Sequence, residues 1–143
     1  LVLAGLKADL ESLVDTFKNA GAKRALVLDM SVASHCELLE SAVENLKPYL
    51  IEFLNEEFSN VVSNVSANLY STKDEAVELL ASQLISPVKY KQSIKAFDDK
   101  VDLFIEFGHG AVLKGLNRKI SDKPTLNVFD MKTLNETLEA LND

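Results

Sequence analysis

The chain has 143 residues, 47% of them hydrophobic, and a formal net charge of −7 at pH 7; this suits one ordinary domain, or one and a fraction, with its own apolar core, and excludes a disordered chain. The acidic balance argues against nucleic acid as the main partner, because binding phosphates along a polymer needs a surplus of Lys and Arg. No apolar run is long enough to span a bilayer, no signal peptide is visible, and the single cysteine, Cys36, forms no internal disulfide, so the cytoplasm is the expected compartment.

Leu1-Val2-Leu3-Ala4-Gly5 lacks an initiator Met and reads as a strand already in progress over Val2 to Ala4, so the chain is expected to be a piece of something longer. From Leu6 to Ala20, Leu10, Leu13, Val14 and Phe17 recur at helical spacing, and Gly21 is a natural stop. Ala25 to Leu28 reads as a strand, which makes residues 1–28 a β-α-β unit with a boundary near Met30. Beyond His35, the apolar positions Leu39, Ala42, Val43, Leu46, Leu50 and Phe53 predict one helix from Cys36 to about Asn55, with a kink or break near Glu44 caused by Pro48.

Asn60 to Val65 reads as a strand. Thr72-Lys73-Asp74-Glu75 is a capping box that opens a helix running to Leu84. Pro87 fits a first helical turn, and Val88 to Phe97 reads as the next helix. Val101 to Phe107 is the strongest strand signal, with Val101, Leu103, Ile105 and Phe107 on one side. A Gly108-His109-Gly110 turn, a helix from Ala111 to Ile120, a strand over Leu126 to Phe129 and a helix from Met131 to Leu141 capped by Asp130 complete the chain. Helices alternating with short apolar strands predict an α/β fold with an open, largely parallel sheet whose ligands bind beyond the carboxyl ends of the strands.

Three places can carry chemistry. Ser34-His35-Cys36 puts an imidazole between a predicted strand and a helix; His35 is a candidate base, although a lone histidine is as often structural, and Cys36 reads as a buried thiol rather than a nucleophile. Gln83 to Val88 is a helix end before a proline, where a main-chain oxygen such as that of Gln83 is free to accept from an imidazole. Gly108-His109-Gly110 before a helix is either a tight packing turn or an anion cradle. Residues 87–123 hold eight bases against five acids while the rest of the chain is strongly acidic. That stretch is either a solvated helix face or a surface for a small anion or an acidic protein. No paired cysteines, no Gly-x-Ser-x-Gly elbow and no metal-binding His-Glu-x-x-His occur.

Taken together, Gly21-Ala22-Lys23-Arg24-Ala25-Leu26, Ser31-Val32-Ala33-Ser34-His35-Cys36, Gln83-Leu84-Ile85-Ser86-Pro87-Val88 and Glu106-Phe107-Gly108-His109-Gly110-Ala111-Val112-Leu113-Lys114-Gly115-Leu116 resemble the carboxyl-terminal half of the bacterial malonyl-CoA:acyl carrier protein transacylases. The resemblance implies a part of an α/β-hydrolase-like large domain (residues 29–143) and the end of an inserted ferredoxin-like small domain (residues 1–28). It implies transfer of a malonyl group from coenzyme A to the phosphopantetheine thiol of acyl carrier protein in fatty-acid synthesis, through an acyl-serine. His35 would be the general base, the main-chain carbonyl of Gln83 its orienting partner, Ser34 a wall of the acyl pocket, and Arg118 and Lys119 a docking pair for the acidic carrier protein. No metal and no cofactor beyond these substrates is implied. The serine, the carboxylate-binding arginine and the oxyanion donors match nothing in this chain, so they are expected upstream, in an amino-terminal half, and the chain alone is expected to be inactive. The rival reading is a non-catalytic carrier-protein-binding or assembly module.

Overall fold

A computed structural model describes residues 1–142 of the chain. They form two compact units, Leu1–Val88 and Lys89–Asp143. In the first, helix α1 spans Lys7–Asn19 and ends where the sequence puts its stop. Gly21 takes φ +94°, and the amide of Ala22 turns back to donate to the Phe17 carbonyl at 2.9 Å.

The flanking segments depart from expectation. Val2 to Ala4 and Ala25 to Leu28 form no strand, so residues 1–28 make no β-α-β unit. An apolar run becomes a strand only when another segment lies alongside to take its backbone hydrogen bonds, and none does here. Leu26, Val27 and Leu28 are accordingly exposed.

After a short 3₁₀ turn at Glu37–Leu39, helix α2 runs over Glu40–Phe53 and helix α3 over Lys73–Ser82. Pro48 lies inside α2, which continues through it as one element rather than breaking near Glu44. The core of this unit is small: α2 packs on α3, and Val43 of α2 with Ala76, Val77 and Ala81 of α3 are the buried apolar side chains of the two helices. Lys47 of α2 and Glu78 of α3 close that contact with an ion pair of 2.9 Å.

The capping box forms. Thr72 Oγ1 accepts from the Glu75 amide at 3.2 Å, and Glu75 Oε2 accepts from the Ser71 amide at 2.7 Å. The predicted strand over Asn60 to Val65 does not form; only Val62 bridges Leu69, in antiparallel sense. Ser63 is the cause. Its buried hydroxyl accepts from the amides of Val65 and Ser66 at 3.1 and 3.3 Å and bends the chain into a turn before a strand can extend.

In the second unit, helix α4 occupies Tyr90–Phe97, starting after Pro87 rather than around it, and a 3₁₀ turn follows at Asp98–Lys100. Strand β1 is Phe104–Phe107, helix α5 Val112–Asn117, strand β2 Thr125–Val128 and helix α6 Met131–Asn142. β1 and β2 pair in parallel, Phe104 opposite Thr125 through Phe107 opposite Val128, with α5 and α6 packed on β2. This is the predicted mixture of helices and parallel strands, on a two-stranded sheet.

Asp130 caps α6 by accepting from the Thr133 amide at 2.8 Å. The buried side is polar at its centre: Tyr90 donates to Asn117 Oδ1 at 2.8 Å, and Asn117 Nδ2 donates to Thr125 Oγ1 at 3.1 Å. Burial raises the Tyr90 phenol above its ordinary value, assisted by the Glu106 charge and opposed by the bond to Asn117.

Candidate functional site: an oriented histidine

His35 is exposed and stands between the 3₁₀ turn that leads into α2 and the carboxyl end of α3. Its backbone is left-handed, at φ +65°, a conformation that costs a non-glycine residue of the order of 1 kcal/mol or more unless its surroundings hold it there. Two bonds hold it. The His35 amide donates to the Leu84 carbonyl at 2.9 Å, and ring Nδ1 lies 2.8 Å from the Gln83 carbonyl. Backbone and side chain thus hang on consecutive carbonyls of one turn, which are free because α3 stops at Ser82.

The carbonyl decides the tautomer. An oxygen of this kind only accepts, so Nδ1 carries the proton and Nε2 is left with a bare lone pair. The side-chain amide of Gln83 also lies 3.3 Å from Nδ1, but donor faces donor there; its productive bond is to the Ser86 carbonyl, at 3.3 Å, and it straps the turn that presents both oxygens. A neutral carbonyl fixes the ring's direction without stabilising the imidazolium as a carboxylate would.

Ser34 is adjacent and half-buried. Cys36 is half-buried too, and its thiol donates to the Ala33 carbonyl at 3.3 Å, which occupies it structurally. The structure therefore brings His35 and Gln83 together within the first unit, with Ser34 beside them only as the neighbour of His35 in the chain. Arg118 and Lys119, both exposed just after α5, belong to the second.

Beyond the Gly108-His109-Gly110 turn, the start of α5 is occupied by a side chain of the protein itself. Gly108 and Gly110 take φ +126° and +88°, as glycines allow. The amides of Leu113 and Lys114 that would face an anion instead donate, at 3.0 Å each, to the two carboxylate oxygens of Glu106 on β1. Asn127 of β2 braces the same turn from the Glu106 and Gly108 carbonyls, at 3.1 and 3.3 Å. The helix-start amides are taken by Glu106, and the glycines answer to their positive φ rather than to close packing, since a Cβ on either would meet nothing within 4 Å. Glu106 is buried while Phe107 is 75% exposed, so the strand's inward side carries an acid that apolar alternation overlooked. A glutamate in an otherwise apolar strand, just before Gly-x-Gly and a helix, was the available signal. Among the described residues no three His, Cys, Asp or Glu side chains cluster as metal ligands would.

Fold and site together describe a helix and parallel-strand protein that holds one exposed imidazole oriented against a main-chain carbonyl. Comparison with known proteins narrows this. No family model matches the chain. The malonyl CoA-acyl carrier protein transacylase of Bacillus subtilis is 36% identical over 100% of this chain and 46% of its own length. The crystal structure of the Helicobacter pylori malonyl-CoA:acyl carrier protein transacylase superposes with a TM-score of 0.92 at 45% identity, over 97% of this chain and 45% of that one. A malonyl-transacylase in complex with its type II PKS acyl-carrier protein superposes with a TM-score of 0.89 at 32% identity, over 95% of this chain and 45% of that one. The resemblance read in the sequence is borne out: the chain is similar along its length to the carboxyl-terminal part of these transacylases, and spans about half the length of the curated relatives it matches.

Proposed function

We propose that the chain is the base-bearing part of an acyltransferase that moves a malonyl group from coenzyme A to the phosphopantetheine thiol of an acyl carrier protein in fatty-acid synthesis. The observation that carries this reading is the 2.8 Å approach of His35 Nδ1 to the Gln83 carbonyl, which leaves Nε2 free to accept a proton. A carrier-binding module without catalysis would have no use for that convergence.

In the proposed cycle His35 Nε2 takes the proton of a serine hydroxyl as its oxygen attacks the malonyl thioester. The C–S bond breaks, and the proton passes to the departing coenzyme A sulfur. In the second half Nε2 takes the proton of the phosphopantetheine thiol, the sulfur attacks the acyl-serine, and the serine oxygen leaves with that proton. Serine, oxyanion donors and a carboxylate-binding arginine belong to the portion of the relatives that this chain does not match. Ser34 would wall the acyl pocket, and Arg118 with Lys119 would meet the acidic carrier protein. Residues 1–28 would end a ferredoxin-like small domain and residues 29–143 belong to an α/β-hydrolase-like large domain. The setting would be cytoplasmic; no helix among the described residues is long and apolar enough to cross a membrane.

Malonyl transfer from coenzyme A to carrier protein, followed by the mass of the carrier, tests the reading. The chain alone is expected to be silent. The polypeptide that joins it to the nucleophile-bearing portion of the family is expected to transfer, with His35→Ala lowering the rate by at least about 10³-fold. Undiminished transfer by His35→Ala refutes the assignment.

A further inference from the structure

Every residue type offers a main-chain oxygen, so accepting from His35 Nδ1 asks nothing of the Gln83 side chain. That side chain has a bond of its own. Its amide nitrogen donates to the Ser86 carbonyl at 3.3 Å, and a carbonyl, which only accepts, selects the nitrogen end of the carboxamide.

The backbone does little to hold the Gln83 oxygen. In a continuing helix it would receive the amide four residues on, but that residue is Pro87, which has none. Among the described residues no backbone amide bonds this oxygen. It shares a peptide plane with the Leu84 amide, whose bond to the Ala81 carbonyl, at 3.2 Å, is a single turn about which the plane can rock. The strap from the Gln83 side chain to Ser86 supplies a second constraint from the other side of the same residue.

The direction of that oxygen matters because the ring is exposed. In water a neutral histidine favours the proton on Nε2, which leaves no lone pair there to accept another. Only while the Gln83 oxygen stays on Nδ1 is the preference reversed, since the other tautomer would set two lone pairs against each other 2.8 Å apart.

We propose that Gln83 is a positioning residue through its side chain: strapped to Ser86, the carboxamide holds the Gln83 oxygen on Nδ1 and so keeps His35 in the tautomer whose Nε2 accepts a proton. The bearing on malonyl transfer rests on the acyl-transfer reading above; the bearing on the tautomer rests on the geometry alone.

Gln83→Met keeps the length of the side chain and removes its donor. Long-range ¹H–¹⁵N spectra of the ¹⁵N-labelled chain, taken as the pH is raised until the His35 ring signals stop moving, give the ratio of the two neutral tautomers. The expected result is a mainly Nδ1-protonated ring in the parent and a ratio of Nδ1–H to Nε2–H about fivefold lower in Gln83→Met, the effect of one ordinary hydrogen bond. Thr72→Ala loosens the other end of α3 without touching the strap and should leave the ratio unchanged; if Gln83 acted only by steadying α3, this variant would lower the ratio as well. The amide nitrogen also lies 3.3 Å from Nδ1, and if donation to that atom were its main effect, removing it would raise the ratio. A ratio unchanged or raised in Gln83→Met, or lowered equally in Thr72→Ala, overturns the proposal. In the joined polypeptide, kcat for malonyl transfer should fall in Gln83→Met at least as far as the Nδ1-protonated fraction does, with KM for the thioester unchanged. A lowered ratio with kcat intact would keep the positioning and sink His35 as the base; kcat lost with the ratio intact would do the reverse.

Discussion

Replacing Glu106 with Gln probes the internal clamp that occupies the start of α5. The carboxylate receives the Leu113 and Lys114 amides on separate oxygens, each at 3.0 Å, and is only 9% exposed. A carboxamide keeps one accepting oxygen and turns an NH₂ toward the other amide. One backbone donor is then buried without a partner, a loss of about 1–3 kcal/mol, and the favourable interaction of a negative charge with the helix start goes as well, another 0.3–1 kcal/mol or so. The expected destabilisation is about 2–3 kcal/mol. With a urea dependence of roughly 2 kcal/mol per molar, the unfolding midpoint falls by about 1 M. Hydrogen exchange localises the effect: the amides of Leu113 and Lys114 should lose protection before those of β1 do. A midpoint unmoved by the substitution, with both amides still protected, would refute the clamp.

Other substitutions test the remaining joints. His35→Asn should fold as the parent does, because Asn tolerates the left-handed backbone and keeps the bond to Leu84, whereas His35→Val should lose about 1–3 kcal/mol in a urea titration. Thr72→Ala removes the acceptor for the Glu75 amide and should cost about 1 kcal/mol, read from the same titration. The Asp130 carboxyl is held below its usual range, first by the backbone bond from Thr133 and then by that residue's hydroxyl. A depressed carboxylate stabilises fully above the unfolded value near 4 and loses that contribution as pH falls through the folded value. Protection of the α6 amides should therefore weaken below about pH 4, and Asp130→Asn should flatten that acid limb.

How much of this was legible in the sequence depended on how local the cause was. The Thr72 capping box and the Asp130 cap join residues three apart, and both formed as read. The stop at Gly21 is equally local. Strands are not: Val2 to Ala4 and Ala25 to Leu28 have strand composition and no neighbour to pair with, and Ser63 overrides the apolar run around it with two short-range bonds. The site divides the same way. His35 and the free carbonyl after α3 could each be marked in the sequence, but bringing them together took the family resemblance. Neither the left-handed turn at His35 nor the strap from Gln83 to Ser86 left a sequence signature. Glu106 is an acid in an apolar strand, and hydrophobic alternation, which puts Ile105 and Phe107 inward, runs opposite to the burial of its carboxylate.

The partners of His35, Gln83 and Leu84, lie 48 residues and one more away along the chain, and both of its bonds reach across that distance to one turn. The direction of the imidazole is therefore a closed-loop property rather than a local one: nothing in residues 31–40 aims it. Closing a loop of that length has an entropic cost that grows only logarithmically with its size. The polar segment between α2 and α3 can accordingly gain residues in evolution with little penalty to the base, while a single backbone cleavage there would make the aim of the imidazole depend on α2–α3 packing alone, with every atom of the base intact.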